Sequence, residues 1–260
     1  AALGSQLACE FARQYGGRAF VVNPPSVDEF QDLARITGIA GVYRGCNTHA
    51  LNQKETAYRV CQDRGWDYRQ VNLIVAHIGG GVSVAAHRKG VMVDSNDNIS
   101  GEGPMAPTRI GTLKVKTVMD LLASGQVTAE EFKALRTGAG GFVSHLGTSD
   151  MLEVEERIAA GDSYAKLVRD AFCYQIAKEI GAMAAVLKGK VDLIILTGGI
   201  SHDQEVVAQL EEYAGFIAPF EIRAGEFEME ALSNGALRAL RGQEPVRCYT
   251  GISPFSGFPR

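Results

Sequence analysis

The chain has 260 residues, of which 46% are hydrophobic, enough to build a substantial buried core. Lys and Arg total 26 against 30 Asp and Glu, which gives a net charge of -4. Such a chain offers no excess of basic residues of the kind that nucleic-acid binding requires. The five cysteines include no CxxC pair, which argues against a disulfide framework and against a zinc site. No apolar run reaches the roughly 18 residues of a membrane span. We therefore expect a globular, cytoplasmic protein that acts on small molecules.

The N-terminal part of the chain is predicted to alternate helix and strand. Residues 4–15 have a helical pattern, and because the chain opens inside this pattern without a Met, we expect it to be cut on its N-terminal side. The apolar residues 19–22 predict a buried strand that ends at Asn23, where two prolines follow. Helix-forming residues return at 49–64.

The middle of the chain is predicted to form a hairpin after a glycine turn. Residues 72–76 indicate a strand that continues into the three glycines at 79–81. Residues 82–86 and 90–94 follow as a second and third strand, with residues 87–89 as the turn between them.

A long loop and a helical region come next. Residues 95–112 are rich in Asn, Gly, Pro and Thr, and a connection of this length favours a functional loop. Helices are then predicted at residues 117–123, 129–135, 150–160 and 164–187. A buried strand at 191–196, a helix, a strand at 220–222 and a helix at 228–241 complete the chain. The alternation predicts an α/β fold with glycine turns at strand ends, where such sheets bind ligands.

The first candidate site is a histidine followed by glycines at the end of a strand. His77 precedes Gly79, Gly80 and Gly81, whose backbone N–H groups can approach phosphate oxygens because no Cβ obstructs them. A tight hairpin with a core histidine is an equally weighted alternative on glycine content alone. Neither GxGxxG nor GxxxxGK[ST] is present, which disfavours a Rossmann dehydrogenase and a P-loop.

Two further elements extend the candidate site. The strand at 191–196 ends in Thr197-Gly198-Gly199, a turn suited to the ribose or adenine of a nucleotide, although such glycines are a weak signal alone. Arg109 lies in the Gly/Pro-rich loop, where its fork of donors could hold a carboxylate or phosphate. A solvated surface arginine is the alternative.

These elements together carry a family resemblance. The segments AHIGGGVSV, DNISGEGPMAPTRIGTL and LTGGIS, with HALNQK, YQIAKEIGAMAAVLKGKVD and AGEFEMEAL, resemble butyrate kinases over residues 3–242. That family is a member of the acetate kinase branch of the sugar kinase, actin and Hsp70 superfamily. The resemblance implies a ribonuclease H-like (actin-like ATPase) α/β fold in a two-domain kinase, with most of the first domain missing. Residues 1–65 would then be the remainder of the first domain with an inter-domain segment, and 66–260 the second, nucleotide-binding domain.

The resemblance also implies catalytic residues. His77 would donate a hydrogen bond to the transferring phosphoryl group, and Arg109 would hold the carboxylate or the phosphoryl group in line. His49 and Arg44 match a segment near the active site of related kinases. Asn23 stands where butyrate kinases have an aspartate associated with magnesium and the phosphoryl acceptor, and an amide supplies an oxygen without the charge.

Cofactors and partners follow from the same resemblance. The implied cofactors are ATP and Mg2+, and the implied assembly is a homo-oligomer. Glu226 and Glu228 match a glutamate near the magnesium, with exposed helix-start charges as an equal alternative. The implied cofactor-binding residues are Gly79, Gly80, Gly81, Ser83, Thr197, Gly198, Gly199 and Ile200.

Three departures from the family pattern bear on function. Asp28 could replace the missing aspartate at Asn23 only if its loop places it there. Phe227 stands where an acidic residue is usual, and the tail at 249–260 does not resemble the family pattern.

The functional expectation is transfer of phosphate between ATP and butyrate. Isobutyrate, propionate and acetate are alternatives, since one methylene changes binding by only about 1–3 kcal/mol. A non-catalytic, nucleotide-binding remnant of the fold is the alternative from another class, favoured by Asn23 and by the absent first segment.

Overall fold

The computed structural model describes residues 2–97, 99–248, 250 and 255–258. The strands are β1 (Asn72–Ile78), β2 (Val82–Arg88), β3 (Val91–Ser95), β4 (Leu193–Gly198) and β5 (Phe220–Ala224). The helices are α1 (Ala2–Tyr15), α2 (Asp32–Arg35), α3 (Ala50–Asp63), α4 (Val115–Ala123), α5 (Ala129–Ala134), α6 (Phe142–Leu146), α7 (Met151–Ala159), α8 (Ser163–Val186), α9 (Gln204–Ala214) and α10 (Glu228–Leu240). A π-helical turn (Leu135–Ala139) follows α5, and a 3-10 turn (Gly199–His202) follows β4. None of the helices in the described part of the chain is long and apolar enough to cross a membrane.

The strands form one mixed sheet in the order β3-β2-β1-β4-β5. The strand β2 is antiparallel to both of its neighbours, whereas β1, β4 and β5 run parallel to one another. His77 is paired with Thr197 in the register of β1 and β4. Because parallel strands end at the same edge of a sheet, the glycine turns that follow β1 and β4 lie side by side.

Helices cover both faces of the sheet. The long helix α8 packs Phe172, Ile176 and Ile180 against one face, and all three side chains are fully buried. The helix α3 packs Ala57 and Val60 against the other face. Burying one large apolar side chain contributes roughly 1.5–3 kcal/mol, so these contacts make the sheet a rigid platform for the residues at its edge.

The long helix has a defined start. Asp162 caps α8, and its carboxylate accepts hydrogen bonds from the backbone N–H groups of Tyr164 and Ala165. Such a cap typically stabilises a helix by about 1 kcal/mol.

The structure confirms most of the predicted elements and corrects two. The α/β alternation is confirmed, and each predicted helix is present within a few residues of its expected bounds. The strand predicted at 19–22 is wrong: these described residues form no strand, and Val21 is exposed while Val22 packs on Gly235 of α10. A run of apolar residues predicts only that another segment covers part of it, and here that segment is a helix and not a paired strand.

The hairpin turn is also shorter than predicted. Residues 87–88 belong to β2, and the turn consists of Lys89 and Gly90, which have φ values of 52° and 83°. Two consecutive residues with positive φ are typical of the tight hairpin turns whose twist matches the flanking strands. His87 is therefore a buried strand residue.

The division at residue 65 stays a prediction. The helix α3, which lies within residues 1–65, packs against the sheet through β1 and β4. The tail at 249–260 lies largely outside the described residues, and of it the structure describes 250 and 255–258.

Candidate active site

The glycine turn after β1 is closed by its own backbone. The N–H of Gly79 donates to the carbonyl of Gly81 at 3.0 Å, and Thr108 donates its hydroxyl to the carbonyl of Gly80 at 2.8 Å. Gly79 and Gly81 are buried, whereas Gly80 is exposed and a Cβ added there would meet nothing within 4 Å. The turn therefore presents one open backbone position at the sheet edge.

Arg109 lies directly on this turn. A Cβ at Gly81 would stand 1.9 Å from Nη1 of Arg109, so the guanidinium occupies the space that any other residue would fill. Ala106 and Arg109 exchange two backbone hydrogen bonds, of 3.0 and 3.2 Å, in a tight turn. Partial burial lowers the pKa of Arg109 from its ordinary value, and the nearby Asp97 counteracts that shift. The predicted Arg109 and the predicted glycines thus meet.

A second glycine pair supports the Arg109 loop. Gly141 has a φ of 60°, and a Cβ there would lie 1.6 Å from the carbonyl oxygen of Ala106. A Cβ at Gly140 would lie 2.2 Å from the carbonyl oxygen of Leu135. Sequence reasoning missed this pair, although Gly138, Gly140 and Gly141 were visible as a glycine cluster between two predicted helices.

His77 and His49 form a stack beside the turn. Their ring centroids are 3.8 Å apart with an interplanar angle of 16°. His77 is 2% exposed, and a Cβ at Gly79 would lie 3.2 Å from its Nε2. Burial lowers the pKa of His49 to about 2, with smaller contributions from His77 and Arg109, so this ring is neutral at physiological pH. The structure therefore brings both predicted histidines to the glycine turn.

Buried polar side chains of α3 and β2 contact the two histidines. Ser83, predicted to bind the cofactor, has no exposed surface, and its hydroxyl lies 2.8 Å from Nδ1 of His49. Gln53 donates from Nε2 to the Ser83 hydroxyl at 2.7 Å. Asn52 contacts His77 at 3.0 Å. Neither amide was predicted as a functional residue, although two polar side chains on an otherwise buried helix face were a visible signal.

Of the two glutamates predicted to bind metal, one lies at the turn. Oε1 of Glu226 is 3.5 Å from Nε2 of His77, and this contact lowers the pKa of the carboxyl below its ordinary value. Glu228 is exposed in the first turn of α10. Within the described part of the chain, no three His, Cys, Asp or Glu side chains converge on a possible metal position.

A single carboxylate at the turn is nevertheless compatible with magnesium. Mg2+ usually takes only one or two protein carboxylates and completes its shell with water and phosphate oxygens. Glu226 is 54% exposed at the open side of the turn, so its oxygens are accessible to such an ion.

The glycine turn after β4 is built differently. Gly198 has a φ of 91°, and it exchanges two 3.0 Å backbone hydrogen bonds with Gly225. The buried Thr197 donates its hydroxyl to the carbonyl of Gly225 at 3.1 Å and so supports the turn from inside. Gly199 is exposed and Ile200 is half-buried.

Next to this second turn, the structure has an open groove of about 370 Å³. Its walls come from the 3-10 turn, α9 and β5, and the lining residues are Ser201, His202, Gln204, Val207, Ala208, Glu211, Ile222 and Ala224.

Arg44 is engaged in ion pairs. Its guanidinium donates to Asp94 at 2.9 Å and to Glu102 at 2.8 Å, and it also donates to the carbonyls of Ala34 and Ser95. Glu102 lies within the predicted functional loop and Asp94 lies on β3, so Arg44 ties that loop to the end of β3.

Asn23 lies in a bend with a φ of 38°, a left-handed conformation that Asn and Asp adopt more readily than most residues. Both oxygens of the neighbouring Asp28 accept hydrogen bonds from Arg35, at 2.6 and 2.7 Å, so this carboxylate is already paired.

An edge with an open backbone position at Gly80, a partly buried arginine and a histidine beside it suits an anionic, phosphate-bearing ligand. The fold and this edge thus define a class of phosphate-handling α/β proteins. Residues 46–218 match the model of the acetokinase family. The chain belongs to the acetokinase family.

Curated relatives support this assignment over nearly the whole chain. The chain is 47% identical over 247 residues to a probable butyrate kinase 2 of Caldanaerobacter subterraneus subsp. tengcongensis, covering 95% of this chain and 70% of that protein. It is 44% identical over 248 residues to a probable butyrate kinase of Enterococcus faecalis, covering 95% of this chain and 69% of that protein.

The fold is shared with solved kinases. The crystal structure of Porphyromonas gingivalis acetate kinase is similar with a TM-score of 0.75 at 23% identity. The match covers 81% of this chain and 61% of that chain, so the present chain spans less than two thirds of it. The predicted ribonuclease H-like, actin-like ATPase fold is thereby confirmed.

Proposed function

We propose that this protein transfers a phosphoryl group between ATP and the carboxylate of a short-chain fatty acid, with butyrate as the preferred acid. A carboxylate oxygen would attack the γ-phosphorus of ATP, the bond from that phosphorus to the β-phosphate oxygen would break, and acyl phosphate and ADP would result. The reverse reaction uses the same groups. The observation that carries the proposal is the meeting of Arg109, His77 and the Gly79–Gly81 turn at one sheet edge.

The chemistry needs little more than positioning and charge stabilisation. The transferred phosphoryl group passes through a loose transition state, with negative charge on its equatorial oxygens. Arg109, partly buried on Gly81, supplies a fixed positive charge and two parallel donors for those oxygens or for the acid. His77 supplies a further donor from the neighbouring strand. The carboxylate acceptor is already ionised at neutral pH, so no general base is required.

ATP would lie across both glycine turns. The turn of residues 79–81 would contact its phosphates through the open backbone at Gly80, since the N–H of Gly79 already donates to the carbonyl of Gly81. The groove beside residues 198–200 would take the adenosine. Mg2+ is part of the proposal, held through the accessible oxygens of Glu226, and it would neutralise charge on the phosphates when bound.

The preference for butyrate is supported by the two relatives named as probable butyrate kinases, at 47% and 44% identity. Propionate, isobutyrate and acetate are the alternatives within the class. Pocket volume decides among them, and one methylene changes the discrimination by roughly 10–200-fold.

A second candidate function is nucleotide binding without transfer. Asn23 favours it, because an amide at this position lacks the negative charge of the aspartate that the family resemblance implies. Its left-handed backbone is equally open to Asp, so Asn23→Asp restores the charge without adding strain.

The test is an acyl hydroxamate assay on the product of the whole reading frame, with ATP, Mg2+ and acids from acetate to valerate. We expect activity to peak at four carbons and to fall by roughly 10²-fold or more in His77→Ala. The matched control is His145→Ala, since His145 is exposed and its Nδ1 lies 2.8 Å from the hydroxyl of Tyr164. No turnover with any acid, and none in Asn23→Asp, would leave the nucleotide-binding alternative.

Assembly and location complete the proposal. We infer a homo-oligomer, as the family resemblance implies, and a cytoplasmic location, as the cysteine pattern favours. Light scattering on the purified protein measures the assembly, and a monomer at micromolar concentration would contradict it.

A further inference from the structure

Asn52, on α3 behind the active site, has an orientation set by the backbone. Its side chain is 1% exposed, and Oδ1 accepts a hydrogen bond from the backbone N–H of Phe227 at 3.1 Å. A backbone N–H can only donate, so the amide oxygen must face Phe227. The amide nitrogen Nδ2 must therefore face the opposite way, towards His77 and Thr197.

This orientation determines which nitrogen of His77 carries the hydrogen. Nδ2 of Asn52 lies 3.0 Å from Nδ1 of His77 and 3.1 Å from the hydroxyl oxygen of Thr197. An amide nitrogen has two hydrogens to donate and accepts none, so Nδ1 of His77 is the acceptor. The Thr197 hydroxyl donates to the carbonyl of Gly225 and is free to accept the second hydrogen. In the neutral ring, the hydrogen is then on Nε2.

Nε2 of His77 faces the open side of the glycine turn. It lies 3.5 Å from Oε1 of Glu226, and a Cβ at Gly79 would be 3.2 Å from it. The donor consequently points at the same space as the backbone of the turn. Nδ1 of His77 contacts Asn52, whereas Nε2 faces Glu226. The two nitrogens of His77 therefore have separate partners.

The neighbouring ring is held in a related way. Gln53 donates to the carbonyl of Ser83 at 3.1 Å and to its hydroxyl at 2.7 Å. That hydroxyl, 2.8 Å from Nδ1 of His49, has its own hydrogen available for His49. Burial also keeps the His49 ring neutral, with a pKa lowered to about 2. The ring stacked on His77 at 3.8 Å therefore adds no positive charge to it.

We propose that Asn52 is a positioning residue that holds His77 as the neutral tautomer with its hydrogen on Nε2. His77 then acts in the reaction as a hydrogen-bond donor to the transferring phosphoryl oxygens, and it neither gains nor loses a proton. The target of the donor rests on the proposed function. The tautomer itself rests on the contacts of Asn52 alone.

The tautomer is measured by NMR on the whole protein with 15N-labelled histidine rings and without ligands. Ring 15N shifts and long-range couplings to the carbon-bound ring hydrogens identify the protonated nitrogen, and His77→Gln assigns the signals. We expect hydrogen on Nε2 and a bare Nδ1 in the wild-type ring. Hydrogen on Nδ1, or a rapid mixture of both tautomers, would overturn the proposal.

Two variants of Asn52 change the tautomer in different ways. Asn52→Asp replaces the donor at Nδ1 with a carboxylate oxygen, which attracts a proton to Nδ1. Asn52→Ser removes the donor without adding charge, so both tautomers should be populated. The matched control Asn72→Asp changes an amide at the other end of the same strand, where Nδ2 donates to the carbonyl of Lys190, and should leave the ring signals unchanged. An unchanged His77 ring in folded Asn52→Asp would contradict the assigned role.

Activity separates the positioning role from a structural one. In variants that fold and show the altered tautomer, we expect kcat to fall by roughly 10²-fold while KM stays near the wild-type value, since one preorganised donor is misdirected. Wild-type kcat in such a variant would overturn the catalytic part of the proposal. A wild-type protein with the expected tautomer but no turnover with any acid would overturn the proposed function instead.

Discussion

The two glycine turns at the sheet edge have similar sequences but different structural reasons for glycine. After β1, the Cβ of a residue at Gly81 would meet the end of the flexible Arg109 side chain. After β4, the Cβ of a residue at Gly198 would lie 2.4 Å from the backbone oxygen of Ile78, and φ is 91°. The first glycine makes room for a charged group, whereas the second allows the two strands to approach each other.

The comparison indicates a division of labour. The turn after β1 has Arg109, His77 and Glu226 around it, so charge is concentrated there. The turn after β4 is held by backbone bonds to Gly225 and adjoins the open groove. We therefore expect substitutions at the first turn to affect turnover, and those at the second to affect stability.

The largest effect should come from Arg109 itself. Arg109→Ala removes the fixed charge from the first turn, and arginines in phosphoryl transfer contribute roughly 10³–10⁵-fold to kcat. Arg109→Lys should recover only part of the activity, because an ammonium lacks the planar fork. Arg13→Ala, an exposed charge change on α1, is the control and should retain full activity. Steady-state kinetics with ATP and butyrate provide the measurement, and similar kcat in Arg109→Ala and Arg13→Ala would contradict the role.

The second turn is tested by Gly198→Ala. A Cβ clash with backbone and a left-handed φ should together lower the free energy of unfolding by about 2–4 kcal/mol. Gly199→Ala is the matched control, since its Cβ would meet nothing within 4 Å, and it should change stability by less than about 0.5 kcal/mol. Urea unfolding followed by circular dichroism compares the pair, and equal midpoints would remove the distinction between the two turns.

The opposite result is expected at Gly81. In Gly81→Ala the new methyl group displaces the Arg109 guanidinium, and a misplacement of about 1 Å can cost roughly 10²-fold in rate. The melting temperature should stay near the wild-type value, because a flexible side chain can move away. Gly80→Ala, with open space around its Cβ, should lose less activity than Gly81→Ala. A large drop in melting temperature for Gly81→Ala would mean that a Cβ at this position also clashes with backbone, as it does at Gly198.

The last effect is small per pH unit and concerns His49, which lies beside the first turn. The pKa of His49 falls from 6.5 to about 2 on folding, chiefly through burial. Between these values the unfolded chain binds a proton that the folded chain does not, so stability decreases as pH falls below 6.5. One such group contributes at most about 1.4 kcal/mol per pH unit.

Replacing His49 should therefore flatten the pH dependence. His49→Asn is expected to give a shallower loss of unfolding free energy between pH 6.5 and 4, measured by urea titrations at several pH values. His87, whose pKa is lowered to about 3 by burial, continues to contribute in that variant. The exposed His145→Asn should leave the slope as it is in the wild type. An identical slope in His49→Asn and the wild type would show that His49 is not buried as a neutral ring.

The order of most helices and strands, the α/β class and the family could all be predicted from the amino-acid sequence. These properties depend on local patterns: apolar periodicity, glycines at strand ends, and short motifs in a fixed order. For this reason the bounds of β1 and α10 were close to prediction, while the apolar residues 19–22 were misassigned, because their neighbours are distant in the chain.

Which side chains meet at the site depends on tertiary contacts. In the folded protein Arg109 lies against Gly81, and Arg44 forms ion pairs with Asp94 and Glu102. Asn52 contacts Phe227, which is 175 residues away in the chain. Hydrogen-bond direction and side-chain contact depend on distances between segments, and a chain pattern contains no such distances. The tautomer of His77 is therefore a property of the folded protein alone.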